Sequence, residues 1–160
     1  MGTSTDGLLF YGWCFDEGHE FPWSDIEECC EASEVVWWRK VNGYEPPFKL
    51  YDEHGEYLNG RAPTDQQCRD YCDHHDRWDE AYPLPFEAVN YCYCDSPMWA
   101  FAVHGTLVRA YRGDPKVIDP HQMLGDVVRE AGVKKVREFC ATHGIELPGE
   151  PRWYLASYWG

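Results

Sequence analysis

The chain has 160 residues, 44% of them apolar and 26% charged, with a net charge of −14 at pH 7. That is enough for one domain with its own core, and ordinary enough that the charge excess does not argue for disorder. The charge is uneven: residues 1–97 hold 21 Asp/Glu against 6 Lys/Arg, and residues 98–160 hold 7 against 8. Such a field repels nucleic acid and draws in basic surfaces, so direct nucleic-acid binding is disfavoured and a basic partner protein is expected.

Leu8–Phe15 is the first predicted strand, apolar enough to be buried on both faces. Ser24-Asp25-Ile26-Glu27 has the pattern of a capping box and opens a predicted acidic helix to about Ala32, with Ile26, Cys29 and Cys30 inward. Val35–Val41 is β-branched and aromatic and reads as a strand, with a helix through Trp38 as the alternative. Pro46-Pro47 breaks the chain, and Asp52-Glu53-His54-Gly55 joins Phe48–Tyr51 to Glu56–Leu58 as a predicted hairpin. A second capping box, Thr64-Asp65-Gln66-Gln67, starts a helix to about Glu80, beyond which Pro83 and Pro85 forbid helix.

Tyr91–Cys94 and Met98–His104 read as strands, and Thr106–Arg112 is expected to pair with the second of them across Gly105. Asp119-Pro120 supplies an N-cap with proline at N1 for a helix near 120–131, which Gly132 ends or bends. Lys134–His143 forms the next helix, stopped by Gly144 with Ile145 folding back, and Arg152–Trp159 is the last strand. The expected fold is one α+β domain over 1–160, a mostly antiparallel sheet with helices packed on one side. No export signal or membrane-length apolar window is present, so a soluble cytoplasmic protein with reduced thiols is expected.

Twenty-six aromatic rings exceed what one small core needs, so several are expected at the surface as contact residues. The carboxylates Asp16, Glu17, Glu20, Asp25, Glu27, Glu28, Glu31 and Glu34 crowd one short stretch, and Asp70, Asp73, Asp76 and Asp79 follow on the helix near 65–80. One reading makes these solvated helix faces. The sharper one makes them a decoy that imitates duplex phosphates and occupies a basic groove, giving a non-enzymatic inhibitor of a nucleic-acid-binding protein.

Cys68, Cys72 and His75 share a helical face, and Cys92 and Cys94 share a strand face, so zinc is the alternative cofactor in a metal-dependent enzyme or a zinc-stabilised module. The spacing is unlike that of zinc knuckles, and Cys68–Tyr71–Cys72–His75–Trp78 also makes a core stripe. His74 and His75 among the aspartates of that helix spread around its cylinder, which suits a solvated face better than a cation site. His104-Gly105-Thr106 is similar to half of the two-histidine phosphoesterase signature, but no other histidine has Ser or Thr two residues on. Cys140 and His143 lie one turn apart without a third orienting group. Arg129, Lys134, Lys135 and Arg137 form only a modest basic edge. A third function is sequestering a small nucleotide in an aromatic pocket, with Arg109 and Arg112 as its local positive patch.

The C-terminal Trp153-Tyr154-Leu155-Ala156-Ser157-Tyr158-Trp159-Gly160, with Ser96-Pro97-Met98 leading into Ala100–Val103, resembles a group of small uncharacterised phage and actinobacterial proteins ending in Trp-x-Leu-x-Ser-Tyr-Trp-Gly. The resemblance covers about the last 65 residues of the chain. It implies no activity, cofactor or catalytic residue; a phage origin would imply interference with a host system, in the host cytoplasm.

Overall fold

The computed structural model describes residues 5–26, 32–48, 62–91, 98–119, 123 and 127–159. Their elements are β1 (Thr5–Cys14), α1 (Ser33–Val41), α2 (Asp65–Ala81), β2 (Phe86–Tyr91), β3 (Met98–Val103), β4 (Val108–Ala110), α3 (Val127–His143) and β5 (Arg152–Trp159). The class is α+β, as expected from the sequence. The chain divides into two compact units, one made of Met1–Asp25 with Pro85–Gly160 and the other of Ile26–Leu84.

In the first unit β1 is the central strand because its alternate residues serve both faces. Leu8 and Phe10 fall on one face, Trp13 and Phe15 on the other, and all four are at most 2% exposed. β5 pairs antiparallel along one edge of β1 from Thr5↔Trp159 to Gly12↔Arg152. β3 takes the other edge at Gly12↔Ala102 to Cys14↔Ala100 and pairs with β2 on its far side. The sheet curls until β2 and β5 meet. Leu8, Phe10, Val89, Ala100 and Ala102 fill the face between them, with Tyr154 and Ala156 packed on the same cluster. Two alanines at its middle leave room for that tight curl.

The expected pairing of Thr106–Arg112 with the preceding strand is not formed. β4 pairs with β1 instead, at Gly7↔Ala110 to Leu9↔Val108, so β3 and β4 follow one another along one edge. Between Gly12↔Ala102 and Leu9↔Val108 the β3–β4 side has extra residues, a wide bulge. Thr106 closes the gap. Its Oγ1 accepts the Tyr11 N–H at 3.1 Å and donates to the Val103 carbonyl at 2.6 Å. A strand-length apolar run cannot reveal that its middle leaves the ladder.

The other face of the sheet carries α3 and a ring stack. Phe86 stacks on Phe101 at 3.9 Å between centroids, Phe21 on Trp23 at 5.0 Å, and Phe139 of α3 meets Phe86 edge-on at 5.2 Å. These five rings belong to the core of this unit. α3 runs straight through Gly132, where a helix end or bend was expected. A Cβ there would overlap Val103 Cγ1, so glycine lets the helix touch β3. Gly144, at φ +70°, ends α3 as expected, with the Ile145 N–H donating to the Cys140 carbonyl and Ile145 buried. Residues 120–122 and 124–126, part of the expected earlier helix, lie outside the described residues; the Met123 N–H bonds the Asp119 carbonyl.

In the second unit the expected strand over Val35–Val41 is the helix α1. Its buried positions are Ser33, Glu34 and Arg39 rather than the valines. α2 matches its expectation, and the Thr64/Gln67 capping box is complete. The expected acidic helix after Ser24 and the hairpin around Asp52–Gly55 fall mostly outside the described residues. Ser24 itself uses its hydroxyl locally, accepting the Phe21 N–H at 2.8 Å. β2 begins at Phe86, earlier than the expected Tyr91–Cys94 strand, of which residues 92–94 lie outside the described residues.

Candidate functional site

The expected acidic surface divides into parts with different environments. Asp16, Glu17, Glu20 and Asp25 are exposed on the loop that follows β1. Glu27, Glu28 and Glu31 lie outside the described residues. Glu34 is only 6% exposed on α1 and is inaccessible to a partner.

Asp79 is also committed. Arg39 clasps it side-on, Nε to Oδ1 at 2.9 Å and Nη2 to Oδ2 at 2.5 Å, and the guanidinium lies 5.6 Å from the Tyr44 ring centroid. This pair joins α1 to α2, with Arg39 buried and Asp79 partly exposed.

Asp70, Asp73 and Asp76 remain exposed on α2. With Glu80 they fall within an arc of about 120° at 3.6 residues per turn. Arg69 and Arg77 fall on the same arc but bond the Gln66 side chain and the Asp73 backbone carbonyl, and among the described residues these four carboxylates make no ion pair. α2 has no basic residue in its last turn, so Glu80 sits where the helix dipole disfavours an anion.

The alternative ligand set is not brought together among the described residues. Cys68 and Cys72 are exposed thiols, whereas His75 is buried between the Tyr44 and Tyr71 rings at centroid distances of 5.1 and 4.3 Å. The core stripe of α2 therefore narrows to Tyr71, His75 and Trp78, without the two cysteines. Cys92 and Cys94 lie outside the described residues. Among the described residues no group of three or more His, Cys, Asp or Glu is placed to hold a metal ion.

Cys140 is buried, and desolvation pushes its thiol up to about 12, the reverse of what a nucleophile needs. Cys14 is raised by burial too, partly offset by a hydrogen bond from Tyr91. In the His104-Gly105-Thr106 motif Thr106 is consumed by the bulge, and Glu87 accepts the Gly105 N–H at 3.1 Å while lying 3.8 Å from His104 Nδ1.

The residue that the sequence does not mark is Arg129. It lines two cavities of the first unit, one of about 620 Å³ with Tyr11, Lys134, Arg137 and Glu150, the other of about 240 Å³ with Leu9, Val108, Ile118 and Trp153. Arg109 and Arg112, the expected positive patch, line neither cavity. In the sequence Arg129 is only one member of a basic edge. Its setting depends on Tyr11 and Trp153 being cross-strand neighbours, which only the β1–β5 register reveals.

No family model, no curated protein and no solved structure matches the chain. Among the described residues no helix is long and apolar enough to cross a membrane.

Proposed function

We propose that the protein is a non-enzymatic binding protein whose acidic face on α2 engages a basic partner, of the kind that itself holds nucleic acid. The observation that carries this reading is the set Asp70, Asp73, Asp76 and Glu80, exposed on one arc and without ion pairs among the described residues. Asp70, Asp73, Asp76 and Glu80, continued into the C-terminal turn of the helix, cost helix stability and return a field that steers a cation-rich surface. Asp16, Glu17, Glu20 and Asp25 are a second exposed group. The C-terminal octapeptide resembles that of small phage and actinobacterial proteins, and a phage origin would favour a host protein as the partner class.

The test is binding of lysate proteins to the immobilised full chain at about 0.05 and 0.5 M salt, alongside a D70N/D73N/D76N variant. Partners captured through this face are lost at high salt and lost by the variant, and they are displaced by duplex DNA. Capture that persists in both conditions removes the electrostatic reading. Glu80→Lys separates function from fold: the helix gains about 0.5 kcal/mol from the dipole while capture falls.

A further inference from the structure

Arg129 stands out because the same protein shows what such an arginine does when its partner is present. Arg39 rests against a tyrosine ring and uses its Nε and Nη2 atoms as a fork on one carboxylate. Arg129 repeats the aromatic seat, with Cζ 5.3 Å from the Tyr11 ring centroid and 5.8 Å from that of Trp153. Those two rings are cross-strand partners 5.4 Å apart, so the seat is fixed by the β1–β5 ladder. One donor, Nη1, bonds the Met123 carbonyl. The fork is not used: Nε is buried without a hydrogen-bond partner, and Arg129 makes no ion pair among the described residues. A buried donor left unsatisfied is costly, and a guanidinium fork matches a planar two-oxygen anion.

The surroundings narrow the ligand. In the larger cavity Lys134 is paired with Glu138 and Arg137 with Glu150, which leaves Glu130 as a further lining carboxylate and no second free cation among the described residues lining it. The smaller cavity is walled by Leu9, Val108, Ile118, Met123 and Trp153, and Asp119 and Val117, the latter 99% exposed, also line it. One unclaimed cation with carboxylates nearby suits a single negative charge and opposes a dianion. Apolar walls suit a hydrocarbon body.

We propose that Arg129 anchors a binding site for a small monocarboxylate with an apolar body: the carboxylate meets the guanidinium and the body enters the smaller cavity against Trp153. The site opens where the sheet bulges between β3 and β4, since His104, Gly105 and Thr106 form part of its wall. It is independent of the acidic face on α2.

The experiment is calorimetric titration of the full chain with 3-phenylpropionate, its neutral amide and phenethyl phosphate, with the Arg129 Nε–H followed by NMR. The acid binds, the amide binds about tenfold more weakly for want of the charged fork, and the Nε–H resonance moves on adding the acid. Arg129→Lys keeps the charge without the fork and weakens the acid toward the amide. Equal affinity for acid and amide overturns the proposal, as does a phosphate ester that outbinds the acid. So does absence of acid binding up to millimolar concentration. Because acid and amide are compared on the unmodified protein, the result stands even where an Arg129 variant fails to fold.

Discussion

Several side chains here do work that their residue type conceals. Thr106 substitutes a hydroxyl for a missing ladder rung, and Arg39 is a buried cation made tolerable by a two-point clasp on Asp79. Cys140 carries a consequence that can be measured. Its folded-state pKa is about 12, above that of an exposed thiol near 8.5. A group whose folded pKa is raised contributes stability that is complete below the unfolded value and is lost as pH climbs toward the folded one. The protein is therefore expected to lose stability progressively from about pH 8.5 upward, and denaturant titrations of Cys140→Ala should show a flatter decline over the same range. An identical slope in the variant would show that this thiol is not the titrating group. Alkylation mapped by mass spectrometry belongs to the same argument: Cys68 and Cys72 label in the native state, and Cys140 labels only on unfolding.

At the scale of elements, glycine in the middle of α3 looks like a defect worth about 1 kcal/mol relative to alanine in a helix. The packing reverses that expectation. An alanine Cβ at position 132 would overlap Val103 Cγ1, so Gly132→Ala should destabilise by about 1–2 kcal/mol through overpacking. Adding Val103→Ala removes the clash, so the two substitutions together should cost less than their separate effects added; strict additivity in a thermal-denaturation cycle would refute the contact. Local signals decide which elements the sequence announces. β1, β3, α2 and β5 have their apolar or capping signals in their own residues, and Gly144-Ile145 signals the end of α3. α1 has no such signal, because the side chains it buries are Ser33, Glu34 and Arg39 while Val35–Trp38 are half-buried. A helix with a polar inner face defeats hydrophobic periodicity. The pairing of β4 escapes for a different reason: both β3 and β5 are competent neighbours by composition, and the choice of β1 as partner is a tertiary one.

For the whole molecule, charge is the most legible property, and its division at about residue 97 leads to the acidic face. The Arg129 cavities are not legible, because they need the β1–β5 register, the bulge at Thr106 and the path of α3 together. A net charge of −14 also has a cost that is independent of any partner, since like charges repel most in the compact state. With a Debye length near 10 Å at 0.1 M salt, repulsion between carboxylates a helix turn or more apart is weakened by moderate ionic strength. The Arg39–Asp79 contact, partly shielded from solvent, is weakened less. Raising sodium chloride from about 0.02 to 0.5 M should therefore raise the melting temperature by several degrees, while capture of a basic partner falls over the same range. The opposite slopes are what self-repulsion and partner attraction demand of one set of carboxylates. A melting temperature that falls with salt would mean that ion pairs outweigh repulsion, and the excess charge would then be neutralised within the fold and have no surplus to offer a partner.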